Sequence, residues 1–187
     1  MTTIGRRRST GTPRPRGPSR ADTLTTNKTI EVAKRVLMLT KNMDVRRRSE
    51  RNLLPVIHGV LGGYLDPRYI RREAWTRSQE GRVDFKFMGK APTLLEVAVR
   101  GERYGVELYE SKNRPELRKL SKLDHQKATR SILLLLDPTG LRAIPKRKLR
   151  ANYSRAPKLR GRGVRKPIRI IYAHPRVTYV FEWSNRR

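Results

Sequence analysis

The stretch SILLLLD, Ser131 to Asp137, limits the fold more than any other part of this 187-residue chain. Ile132 to Leu136 is an unbroken aliphatic run, closed by the turn sequence Asp137-Pro138-Thr139-Gly140. It falls far short of the roughly 20 apolar residues that a membrane-spanning helix needs. Its length is that of a strand, and with no polar side to turn to water it must be covered on both faces. Such a strand lies inside a sheet with other elements packed above and below it.

Two helical segments precede it. In NKTIEVAKRVLMLTKNMD (27–44), Ile30, Ala33, Val36 or Leu37, and Thr40 fall near helical spacing, with Asn27 available as a cap. In SERNLLPVIHGVLGGYL (49–65), Leu53, Ile57, Val60, Leu61 and Tyr64 form one apolar face, capped by Ser49 or Asn52. Pro55 suits only a first turn, which favours a start near Asn52 and leaves Glu50 just ahead of the helix. Strand-like runs follow at YIRREAWT (69–76), RVDFKF (82–87) and TLLEVAV (93–99), separated by turns at SQEG and MGKAP. NRPELRKLSKLDHQKATR (113–130) reads as a helix with Pro115 in its first position and Leu117, Leu120, Leu123 and Ala128 on its buried stripe. After the aliphatic strand come a weaker helix, LRAIPKRKLRANY (141–153), and two strands, IRIIYAH (168–174) and VTYVFEW (177–183), joined closely at HPR. The order predicts a mixed central sheet flanked by helices, a single α/β domain spanning 27–187.

Charge is unevenly placed along this plan. The net charge is +29, from 45 basic and 16 acidic residues. Residues 1–48 carry 13 basic against 3 acidic groups, 142–187 carry 15 against 1, and the centre, 49–141, is near balance at 17 against 12. A surplus this large points to a polyanion, most simply nucleic acid with DNA preferred, bound in a salt-sensitive way. Residues 1–26 have almost no large apolar side chains and read as a disordered basic arm. Arg6, Arg7 and Arg8 in that arm, and Lys146, Arg147, Lys148, Arg160 and Arg162 in the basic C-terminal part, are the candidate phosphate contacts. The chain has no cysteine, which excludes disulfides and thiolate metal sites. No apolar secretory segment opens it, and the Pro- and Gly-rich arm suits a transit peptide poorly. A cytoplasmic, nucleoid-associated location in a bacterium or phage is therefore expected, with no membrane partner.

Two acids interrupt the strand-like runs. In RVDFKF, alternation sets Val83, Phe85 and Phe87 on one face and Arg82, Asp84 and Lys86 on the other. In TLLEVAV it separates Leu95, Val97 and Val99 from Leu94, Glu96 and Ala98, with Arg100 following on the Glu96 side. A five-residue loop closed by Phe87 and Thr93 puts Asp84 directly opposite Glu96. Like charges so placed destabilise a hairpin unless something neutralises them. Mg²⁺ would do so, since it takes one or two carboxylates and fills its shell with water and phosphate oxygens. Arg82, Lys86 or Arg100 on an exposed face would do so without a metal. Other chemistry is thin: His58, His125 and His174 are isolated, no Walker-type loop occurs, and Tyr172, Tyr179, Phe181 and Trp183 suit core packing at least as well as base stacking.

GRVDF, ten residues, then EVA, followed by a helix and LLLLDPTG, resembles the restriction-endonuclease-like, PD-(D/E)XK, nuclease superfamily over about residues 49–137. The resemblance implies a restriction-endonuclease-like core of helix, three antiparallel strands, helix and strand, with Asp84 and Glu96 holding Mg²⁺ or Mn²⁺. It implies a helix-borne acid, for which Glu50 is the nearest match and Glu73 the alternative. It also implies a lysine two residues after the glutamate, where this chain has Ala98. Lys86 is the first candidate to replace it, with Arg100, Lys112 and Lys127 behind, and Gln126 standing where some relatives carry a polar residue. The expected function is metal-dependent phosphodiester hydrolysis in DNA or a structured nucleic acid, with a homodimer left open. The rivals are a catalytically inactive nucleic-acid binder of the same fold and a basic structural protein of a ribosome or virion.

Overall fold

A computed structural model of the chain describes residues 23–44, 47–75, 81–89, 91–101, 105–121, 130–155 and 167–184. The elements are α1 (Thr26–Leu39), α2 (Glu50–Tyr64), β1 (Ile70–Trp75), β2 (Arg82–Phe87), β3 (Thr93–Val99), α3 (Glu110–Ser121), β4 (Arg130–Leu136), α4 (Lys146–Ser154), β5 (Ile168–His174) and β6 (Val177–Trp183). The strands form one six-stranded sheet whose spatial order is their chain order. β1, β2 and β3 run antiparallel, β3, β4 and β5 parallel, and β6 returns antiparallel on β5. The aliphatic run is β4, at the centre and buried on both faces, as its composition demands.

Alternation divides the core into two layers. Ile132, Leu134 and Leu136 pack with Leu95, Val97 and Val99 under α1 and α2. Leu133 and Leu135 pack with Leu94 and Ala98 against Leu117 and Leu120 of α3 and Leu149 and Tyr153 of α4. Glu96 shares the parity of Leu94 and Ala98, so β3 turns it toward the α3 side. The sheet thus carries helices on both faces, an α/β domain. Among the described residues no helix is long and apolar enough to cross a membrane.

Several boundaries differ from the sequence reading, each for a local reason. Thr25, not Asn27, caps α1: its Oγ1 accepts the Lys28 N–H at 3.2 Å. α2 begins at Glu50, so Glu50 is its first residue and Pro55 lies inside the helix. α3 begins at Glu110 rather than 113, with Pro115 again internal. Its start is fixed from outside, since Asn152 Oδ1 accepts the Glu110 N–H at 2.7 Å and Asn113 Nδ2 donates to the carbonyls of Glu107 and Tyr109. Leu123, His125 and Ala128, with the arm up to residue 22, lie outside the described residues.

The parallel strands end in a buried polar network. Arg100 Nη1 lies 2.8 Å from Asp137 Oδ2, which also accepts from the Tyr172 hydroxyl at 2.6 Å, while Thr139 Oγ1 donates to Oδ1 at 2.7 Å. Arg100 is thereby committed to Asp137 and to the Arg142 carbonyl. Asp137→Ala strands the Arg100 charge in the core, and unfolding by denaturant should show a loss of about 3–5 kcal/mol.

Candidate active site

The strand limits predicted for β2 and β3 are those observed, and so is their register: Phe85 faces Leu95 and Phe87 faces Thr93. Continued by one residue, that register sets Asp84 against Glu96. There the ladder opens. The Val97 N–H donates at 2.8 Å to Asp84 Oδ2, so a carboxylate holds a backbone group of the neighbouring strand. Across β1 the pairing also skips a position, from Arg72–Phe85 to Ala74–Val83, and the bypassed residue, Glu73, has φ +50°. A glutamate in left-handed backbone marks a locally strained chain. The distortion reverses the facing of β2: Val83 packs in the α3–α4 layer while Phe85 and Phe87 pack under α1 and α2. The expectation that all three share a face therefore fails at Asp84, where the strand kinks.

Four acids and one base converge on this fork. Asp84 comes from β2, Glu96 from β3, Glu50 from the first turn of α2, and Glu116 and Lys119 from α3. Lys119 Nζ lies 2.6 Å from Glu96 Oε1, 3.9 Å from Glu116 Oε1, and donates to the Arg82 carbonyl at 3.0 Å. Glu96 is only 2 % exposed. Glu96 Oε1 is buried, and the Lys119 ammonium is the cation that compensates it. Glu116 Oε2 is also buried, without a donor.

The electrostatics follow from that crowding. Burial, then the charge of Asp84, pushes the Glu96 carboxyl up to about 9 against the opposing pull of Lys119. Burial raises Asp84 as well, offset in part by the Val97 N–H and by a hydrogen bond from Glu96. Both carboxyls are thus held above their ordinary range, and a hydrogen bond joins them. Burial, then Asp84 and Glu116, raises Glu50 to about 7, with Lys119 opposing. The residue as a whole is exposed, so solvent screens part of that rise. For Lys119, burial alone would lower the ammonium, but the charges of Glu96, Glu116 and Asp84 win and hold it above its ordinary value.

The sequence candidates sort accordingly. Asp84 and Glu96 meet and share a hydrogen bond, and Glu50 lies near enough to feel the charge of Asp84. Glu73 acts on Asp84 by its charge, but its carboxylate is exposed, 3.6 Å from Arg72 and 3.7 Å from Arg82. Lys86 sits across from Leu94 in the expected register, and the ammonium seen acting on all three acids is that of Lys119. Arg100 is engaged elsewhere, Lys112 is exposed, and Gln126 and Lys127 lie outside the described residues, as do Arg6, Arg7, Arg8, Arg160 and Arg162. Ala98, where the resemblance expects a lysine, is 4 % exposed and packed against the α3 layer. Glu116 and Lys119 were absent from the sequence reading. The available signal was their i, i+3 spacing beside the Leu117–Leu120 stripe, which sets both on the flank of the helix face that meets β3. No family model, curated protein or solved structure matches the chain.

Gly81 makes room for the lysine. Its φ is +143°, and a Cβ there would stand 3.1 Å from Lys119 Cδ. Gly81→Ala should cost about 1–2 kcal/mol in thermal unfolding, through backbone strain and displacement of the Lys119 stem.

Proposed function

We propose that this chain is a metal-dependent nuclease with a restriction-endonuclease-like core, hydrolysing phosphodiester bonds in DNA or a structured nucleic acid. The observation that carries the reading is Lys119, whose ammonium stands 2.6 Å from Glu96 at the point where β2 and β3 part. It supplies from α3 the cation that Ala98 cannot supply from β3. The order α2–β1–β2–β3–α3–β4 agrees with the core that the resemblance implies.

The residues fit a hard divalent ion. The donors are oxygens only, two opposed carboxylates of which Glu96 is buried and Asp84 half-buried. Among the described residues no group of three or more His, Asp or Glu is placed to hold a metal ion, so the protein would offer two carboxylates only. An ion that keeps water and phosphate oxygens needs no more. Asp84 and Glu96 would hold Mg²⁺ or Mn²⁺, which when bound activates water and offsets charge on the scissile phosphate. The chain's own groups do the rest. Lys119 orients a nucleophile by donating to it and stabilises the phosphate's added negative charge. Glu50, titrating near neutrality, exchanges a proton at the edge of the site. Lys146 and Arg147 of α4 are exposed for phosphate contact, while Lys148 lies 5.5 Å above the Tyr109 ring.

The test is direct. Supercoiled, linear and branched DNA incubated with the protein and Mg²⁺ or Mn²⁺ should be cut, and Asp84→Ala and Glu96→Ala should each stop it. Cleavage surviving in both variants ends the assignment. The close Lys119–Glu96 ion pair also supports a second reading, a nuclease-fold protein that binds without cutting, because it compensates the glutamate without a metal. That reading predicts salt-sensitive DNA binding indifferent to chelator, and no cleavage by the native chain.

A further inference from the structure

Beyond the carboxylate fork, a groove of about 800 Å³ opens where β4 and β5 end, between the C-terminal half of α1 and the Pro175–Arg176 turn. Lys34, Lys41, Arg48 and Arg176 line it together with Met38 and Val177, and no aspartate or glutamate does. Lys34 and Met38 share one side of α1, and Lys41 follows just past its end.

Arg48 is the unusual member. It is 8 % exposed, and its guanidinium donates to the carbonyls of Met43, Lys41 and Pro138. Those bonds occupy three of its five N–H donors and leave its charge uncancelled. No carboxylate among the described residues comes within ion-pair distance of it. A buried charge without a counter-ion is costly, so the groove floor is a standing attraction for an anion. The opposite wall is fixed: His174 Nε2 donates to the Leu141 carbonyl at 2.9 Å, and its Nδ1 accepts the Arg176 N–H at 3.1 Å. With one ring nitrogen donating and the other accepting, His174 is the neutral tautomer and holds the backbone from which the Arg176 side chain rises.

We infer that this groove seats the phosphodiester backbone of the nucleic acid, leading it to the carboxylate fork. It rests on the nucleic-acid reading proposed above. Arg48, Ser49 and Glu50 are consecutive, so the groove floor and the helix-borne acid of the fork belong to one short segment. Lys34 on α1, Lys41 past its end and Arg176 on the facing turn spread the cations along the groove, enough to meet more than one phosphate. An extended polyanion uses that spacing, whereas a single small anion would not.

The experiment separates binding from cutting. Fluorescence anisotropy of a labelled DNA duplex, with a matching RNA duplex alongside, is followed over a salt series in EDTA. The proteins are the full native chain, the triple variant Lys34→Gln, Lys41→Gln, Arg176→Gln, and a control of equal charge loss outside the groove, Lys112→Gln, Arg118→Gln, Arg155→Gln. Circular dichroism and thermal unfolding establish that both variants fold. The groove variant should lose about tenfold in affinity near physiological salt, and its log K against log salt slope should flatten by about 2–3, one phosphate contact per cation removed. The control should change by about threefold or less. Equal losses in the two variants, or a groove variant that binds as the native chain does, overturn the assignment, and DNA cleavage in Mg²⁺ by the native chain then leaves the nuclease reading standing. Flattening in the groove variant supports the assignment even where no cleavage is seen. A native chain that binds neither duplex overturns both readings. Capture by anionic phospholipid vesicles that the groove variant alone loses, with its duplex affinity unchanged, overturns the groove assignment alone.

Discussion

Lys119→Met should lower the rate of DNA cleavage by about 10²–10³-fold or more while leaving duplex affinity in EDTA within about threefold. The expectation follows from position. The Lys119 ammonium is the cation beside Glu96, held there by the Arg82 carbonyl and Glu116. Methionine keeps the apolar stem that packs by Gly81 and removes only the charge and the donors. Lys86→Met is the control, because Lys86 lies further along β2 across from Leu94. Its rate should stay within a few-fold of the native enzyme. If Lys86→Met is the variant that fails and Lys119→Met cuts normally, the lysine has been misassigned and the site must be redrawn on the strand.

Glu96→Gln should abolish cleavage and, in the same protein, stabilise the metal-free fold at alkaline pH. The folded carboxyl titrates at about 9 against an ordinary value of 4.5. Between those values the folded state holds a proton that the unfolded chain has released, so stability falls as pH rises through the window and is greatest below it. Glutamine mimics the protonated acid, donates to Asp84 as it does, and cannot ionise. Native and variant proteins should unfold alike near pH 4, whereas at pH 9 the variant should be more stable by several kcal/mol, at most about 6. Added Mg²⁺ should then raise the melting temperature of the native protein at pH 8 and leave that of Glu96→Gln unchanged. A native protein whose stability is flat between pH 5 and 9 would remove the raised titration of Glu96.

Much of the frame could be read from residues alone. β2, β3, β5 and β6 match their predicted limits because each is a compact run of β-branched, aromatic and aliphatic side chains between turn residues. The β2–β3 register followed from loop length, and with it the opposition of Asp84 and Glu96. The starts of the helices did not follow. α3 begins at Glu110 because Asn152, 42 residues on, accepts its N–H, and no local pattern announces a cap from a distant helix. Lys119 escaped for a related reason. Its sequence neighbours mark it as the solvated flank of an amphipathic helix, and only the way α3 lies across β3 brings it to a carboxylate 23 residues earlier. The facing of Val83 was lost to the kink at Asp84, since strict alternation assumes a regular strand, and this one gives up a ladder position to a side chain.

A cation carried by a strand moves only with the sheet. Here it rides on a helix whose grip on the sheet is largely apolar, through Leu117 and Leu120, and whose first turn is tied to α4 by Asn152. Lifting or sliding α3 would withdraw the lysine and leave Asp84 and Glu96 in place, disarmed but intact. On the proposed nuclease reading, competence would be coupled to the seating of one helix, and whatever seats that helix, substrate included, would arm the site.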